Sequence, residues 1–149
     1  MSHNSPSKAI DFAREAHAGQ LDKQGRPYID HCLRVRDHLR YEPDYVRVAA
    51  VLHDTLEDTD TEYGDLVRAG FDQRAVMLVD ALTRRPKEYY SAYIARLAQV
   101  PYARKIKLAD IADNLDRERG DYPHLRKRYL KARAYLMDGA DEMFKPEGD

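Results

Sequence analysis

Residues 43–59 read PDYVRVAAVLHDTLEDT. Pro43 and Asp44 suit a helix start, because proline is pre-set for the first turn and an acid complements its exposed N–H groups. Val46, Ala49, Ala50 and His53 then recur at i, i+3, i+4 and i+7, the spacing of one helix face. The polar run TLEDTDTE after Asp54 predicts that the helix ends soon after His53 and Asp54. The same spacing recurs in both directions along the chain. Towards the N-terminus, Ala9, Phe12, Ala13 and Ala16 define a first helix, with Ser7 as its N-cap and Gly19 at its end. A polar loop, QLDKQGRPY, leads to a second helix marked by Ile29, Cys32, Leu33 and Leu39. Towards the C-terminus, Thr61 caps a short fourth helix that stops near Gly70. Asp72 caps a fifth, with Ala75, Leu78, Val79 and Leu82 inward. Tyr90, Tyr93, Ile94 and Leu97 mark a sixth. Pro101 opens a seventh, carrying Ile106, Ala109 and Leu115. Pro123 opens an eighth, with Leu125, Tyr129, Ala132 and Leu136, ending near Gly139. Strand-like alternation is nearly absent. The expectation is an all-α fold, a compact single-domain bundle of about seven to eight helices over residues 1–149.

Composition bounds the function. The chain has 149 residues, of which 43% are hydrophobic, enough for one core and too many for a disordered chain. Twenty-five Lys and Arg against 26 Asp and Glu leave a net charge of −1, without the positive excess that duplex binding uses. No nucleic-acid partner is therefore expected. No apolar run approaches the roughly 18 residues of a membrane span. The N-terminal MSHNSPSKAI lacks a signal-peptide core. The single cysteine, Cys32, excludes an internal disulfide and a cysteine-rich zinc site. A cytoplasmic protein with no membrane partner is expected; the oligomeric state is not legible.

Chemistry enters through the residues on the apolar faces. His31 lies early on the second helix, His53 and Asp54 end the third, and Asp110 lies along the seventh among Leu108, Ala109, Ile111 and Ala112. A carboxylate in such a setting is costly unless paired or metal-bound. Two imidazoles and two carboxylates suit Mn, Fe, Co, Ni or Zn, and suit Ca poorly. Four protein ligands would leave an octahedral ion two positions for water and a substrate oxygen. Taken singly, each residue is more often structural; their joint spacing gives the set its weight. Glu57 and Asp58 follow His53 and Asp54 by four residues. If the helix persisted one more turn, they would sit beside such a metal as proton-transfer groups; otherwise they form a solvated acidic helix end. Asn114, four residues after Asp110, is either a substrate contact or a surface amide. Lys23 and Arg26, then Arg84, Arg85 and Lys87, then Arg104, Lys105 and Lys107 form three basic groups able to meet phosphates, although solvated surface is the commoner use. Tyr89, Tyr90, Tyr93 and Tyr102 read as half-buried packing residues.

The strings GRPYIDH, AAVLHDTLEDT and IKLADIADNL together resemble the HD-superfamily metal phosphohydrolases. More narrowly they resemble the hydrolase domain of the Rel/Spo alarmone enzymes and their small stand-alone relatives, from about residue 9 to residue 116. The resemblance implies an all-α HD-domain fold. It implies one divalent ion, manganese first, held by His31, His53, Asp54 and Asp110, with Glu57 and Asp58 activating water. Lys23 and Asn114 are implied as substrate contacts. The implied reaction removes pyrophosphate from the ribose 3′ position of a guanosine tetra- or pentaphosphate.

Three positions depart from the family pattern. Asp22-Lys23 stands where an Arg-Lys pair is usual, Cys32 follows His31 where proline is common, and Leu115-Asp116 follows Asn114 where a hydroxyl residue is usual. An aspartate cannot stack on a base as a guanidinium does. The segment TRRPKEYYSAYIARLAQVPYARKIKLADIADNLD also resembles small bacterial HD proteins of unassigned substrate. Hydrolysis of another nucleotide, a phosphomonoester or a dinucleotide cofactor, is thus the first rival reading. A non-catalytic nucleotide-binding regulator is the second, disfavoured because all six implied metal and catalytic residues are present. The hydrolase-like bundle occupies the 149 residues, so no synthetase domain is expected.

Overall fold

The computed structural model describes residues 5–117 and 122–138. Among these, all the regular structure is helical: α1 (Pro6–Ala16), α2 (Ile29–Asp37), α3 (Asp44–Leu52), α4 (Thr55–Asp58), α5 (Tyr63–Arg68), α6 (Gln73–Ala81), α7 (Tyr90–Leu97), α8 (Ala103–Arg117) and α9 (Pro123–Asp138). The β-pairing among the described residues is one isolated bridge between Leu21 and Pro27. The all-α expectation holds, and eight of these helices correspond to those read from the periodicity. The addition is α4. The chain forms two compact units, Met1–Thr83 with α1 to α6 and Arg84–Asp149 with α7 to α9.

In the first unit α3 packs against α1, α2 and α6. Val46 and every residue from 48 to 52 on α3 are fully buried, so the C-terminal half of this helix is apolar all round and forms the centre of its unit. Each buried valine or leucine there contributes about 1.5–3 kcal/mol of transfer free energy. The small buried Ala9 and Ala13 let α1 approach closely. In the second unit α9 packs on both α7 and α8. Ile94 and Leu97 of α7, Ile106 and Ile111 of α8, and Ala132 and Leu136 of α9 are buried.

Several helix starts differ from the sequence reading. Ser5, not Ser7, caps α1 by accepting from the Lys8 N–H at 3.4 Å, because Pro6 takes the first helical position. Glu62, not Thr61, is the N-cap of α5. It forms a capping box in which Asp65 accepts from the Glu62 N–H at 2.8 Å. Asp72 caps α6 as expected, accepting from the Arg74 N–H at 2.8 Å. Helix α8 starts at Ala103 rather than Pro101, since Tyr102 holds a left-handed φ of 70°. Leu39 lies beyond α2 yet is buried, Leu115 is only half-buried, and Gly139 lies outside the described residues.

Candidate metal centre

The site in the first unit is built where α3 stops. Leu52 ends the helix, His53 is its C-cap, and Asp54 opens the single turn of α4 with φ −102° and ψ 0°. Two hydrogen bonds secure the junction. The Thr55 hydroxyl donates to the Leu52 carbonyl at 2.8 Å, and the Asp58 N–H donates to the Asp54 carbonyl at 2.9 Å. The change of direction lets neighbouring residues 53 and 54 serve one point, which a continuous helix would not allow.

His31 and His53 are almost fully buried, and the Asp54 side chain is 15% exposed. Asp54 Oδ2 lies 2.9 Å from His53 Nε2 and 3.6 Å from His31 Nε2. The two imidazole rings meet edge-on at 5.3 Å. One ligand atom from each of the three residues lies within 4.8 Å of the others. His53 Nδ1 is 2.7 Å from the Ala50 carbonyl oxygen, so Nδ1 carries the hydrogen and donates it. In the neutral ring that leaves Nε2 as an acceptor pointing at a carboxylate oxygen. Two acceptors at 2.9 Å repel unless a proton or a cation lies between them. Mixed nitrogen and oxygen donors, with one histidine orientated by a backbone carbonyl, fit a divalent transition ion.

In the second unit, Asp110 is 5% exposed on α8. Lys107, one turn earlier, donates to its Oδ2 at 2.8 Å, and the Asn114 amide donates to Oδ1 at 3.3 Å. Burial acts to lower the Lys107 pKa, but the Asp110 carboxylate, with Tyr93 and Tyr90, outweighs it and holds the ammonium well above its ordinary value. Lys107 is therefore not part of a solvated basic patch on α8. Its ammonium also lies 5.2 Å from the centre of the Tyr93 ring. Arg104 is occupied as well, donating to the Leu136 carbonyl. Tyr90 and Tyr93 are buried, as packing residues should be, whereas Tyr89 is about half exposed. Asn114 is half-buried and turned to Asp110.

Glu57 and Asp58 are exposed on α4, on a separate turn rather than a continuation of α3. Lys23 is exposed in the loop before α2. That loop is closed by its own aspartate. Asp22 Oδ1 accepts from the Gln24 and Arg26 N–H groups at 2.8 and 2.9 Å, and Gly25 supplies the turn at φ 78°. Sequence reasoning missed Tyr28, whose hydroxyl donates to Asp54 Oδ2 at 2.6 Å. It also missed the Lys107–Asp110 pair, although their i, i+3 spacing on one helix was a usable signal.

The family profile of the HD domain matches residues 9–115. This chain belongs to the HD domain family. Among curated relatives of this HD domain is the guanosine-3′,5′-bis(diphosphate) 3′-pyrophosphohydrolase of Aquifex aeolicus. It is 37% identical over 119 residues, covering 72% of this chain and 17% of the relative. The bifunctional (p)ppGpp synthase/hydrolase SpoT of Escherichia coli K12 is 31% identical over 140 residues, 83% of this chain and 19% of the relative. The pyrophosphohydrolase MESH1 of Danio rerio is 42% identical over 65 residues, 40% of this chain and 36% of the relative. The HD domain thus spans under a fifth of the length of the first two relatives and about a third of the last. A solved structure described as a metazoan ortholog of SpoT that hydrolyzes ppGpp superposes with a TM-score of 0.73 at 24% identity. The match covers 95% of this chain and 89% of that one, a likeness of fold.

Proposed function

We propose that this HD domain is a metal-dependent phosphohydrolase acting on a phosphorylated nucleotide, with removal of the 3′-pyrophosphate from guanosine 3′,5′-bis(diphosphate) as the first substrate. The observation that carries the reading is the acceptor pair of His53 Nε2 and Asp54 Oδ2, 2.9 Å apart beside the buried His31, where a divalent cation would relieve their repulsion. The names of the relatives support the substrate class. In this proposal His31, His53, Asp54 and Asp110 hold one divalent ion, manganese first, in a cytoplasmic protein.

When bound, such an ion polarises a phosphoryl oxygen and lowers the pKa of a water. The chain supplies the rest. The Ala50 carbonyl keeps His53 in the tautomer whose Nε2 carries a lone pair towards Asp54. Asn114 and Lys107 hold the Asp110 carboxylate between them. Glu57 or Asp58 takes the proton of the attacking water, and the other protonates or orients the leaving oxygen. Lys23 meets a phosphate of the substrate. The acidic pair is accessible, as proton exchange with solvent requires.

One observation favours a second reading. Asp22 is committed to closing its own loop, so this side chain offers nothing to stack on a base. A different nucleotide is the alternative substrate. The test is chromatography of Mn²⁺-loaded protein against guanosine tetraphosphate and a nucleotide panel, with His53→Ala as control. GDP and pyrophosphate from the wild type alone support the first substrate. Turnover of another panel member supports the second, and no turnover of any member contradicts the hydrolase reading.

A further inference from the structure

The structure assigns Tyr28 as the positioning residue of this centre: its phenol holds the Asp54 carboxylate in the orientation a divalent ion needs. The inference rests on the metal reading above and deepens it. The Tyr28 hydroxyl donates to Asp54 Oδ2 at 2.6 Å, within the range of a charge-assisted O–H···O⁻ bond. That oxygen is the one facing both imidazoles. A carboxylate oxygen has two lone-pair sites, so accepting from the phenol leaves it able to ligate.

Tyr28 is itself held firmly. Its N–H donates to the Gln20 carbonyl at 2.9 Å, and its own carbonyl accepts from the His31 N–H at 3.0 Å. Its ring contacts two imidazoles, with centroids 5.0 Å from His17 and 5.4 Å from His31. His17 is 3% exposed and is anchored through Nδ1 to Gln20 Oε1 at 2.8 Å. Backbone bonds and ring contacts thus fix the phenol before any ion arrives. Asp54 lies at the break between two helices, where neither helix dictates its rotamer. Without the phenol, the carboxylate loses a bond that holds Oδ2 towards the imidazoles, and each binding event must order it further.

The test is calorimetric titration of metal-free protein with Mn²⁺. Tyr28→Phe keeps the ring and removes only the donor. The control is Val76→Ala, a buried truncation on α6 that lowers stability through packing alone. The assignment predicts a Kd raised about 10-fold or more in Tyr28→Phe, and a Kd within about twofold of the wild type in Val76→Ala. A Tyr28→Phe Kd equal to that of the wild type, or equal weakening in both variants, overturns the assignment alone. A wild type that binds no Mn²⁺ overturns the metal reading and this assignment with it.

Discussion

Replacing Lys107 by methionine tests how the buried carboxylate of α8 is tolerated. The ammonium and the Asp110 carboxylate are 2.8 Å apart, with side chains only 11% and 6% exposed. Methionine keeps most of the length and apolar volume, so the loss is mainly electrostatic, the ammonium's approach to the Tyr93 ring included. Asn114 still donates to the carboxylate, at 3.3 Å. Removing one partner of a buried ion pair costs about 3–5 kcal/mol, since the other charge stays desolvated. The assay is urea unfolding in the presence of a chelator at neutral pH. The Lys107 ammonium is charged at that pH: a lysine pKa raised on folding contributes stability below its ordinary value, and that stability is lost only as pH rises through the folded pKa. The double variant Lys107→Met, Asp110→Asn removes both charges and should recover most of the loss. A single-variant cost below about 1 kcal/mol, or a double variant no better than the single, refutes the reasoning.

Two further outcomes are expected. Glu88 is held at a pKa of about 2 by the Arg96 guanidinium, with its carboxylate 2.9 Å away, helped by the Arg85 N–H. Arg96→Ala should cost about 1–2 kcal/mol at pH 7, after allowance for solvent screening. A depressed carboxylate stabilises above its ordinary value of 4.5 and loses that contribution as pH falls towards about 2, so the difference between variant and wild type should shrink across that window in acid unfolding curves. Glu57→Gln should leave metal content unchanged by elemental analysis and lower kcat by about 100-fold or more. Unchanged turnover there would make the acidic end of α4 a solvated turn.

The helices were legible because burial imposes a period. Val46, Ala49 and Ala50 mark a face of α3, and the fully apolar run from Val48 to Leu52 marks its central place. The Ser5 cap was legible in principle, since proline at a first helical position puts the cap one residue before it. Helix α4 was not, because four residues carry no period. At the site, the end of α3 at His53 followed from the polar run behind it. Tyr28 could not be found this way, as its bond to Asp54 joins residues 26 apart and depends on tertiary packing alone. The closure of its loop by Asp22 was equally invisible, because a single aspartate at a polar turn has several equivalent uses.

The central claim is one divalent ion held by His31, His53, Asp54 and Asp110. Crystals grown with Mn²⁺ and measured at a wavelength where manganese scatters anomalously test it directly. The account predicts one strong anomalous peak bounded by those four side chains, with ligand distances near those of bound Mn²⁺. No peak at saturating Mn²⁺, or a peak held by other residues, would contradict it.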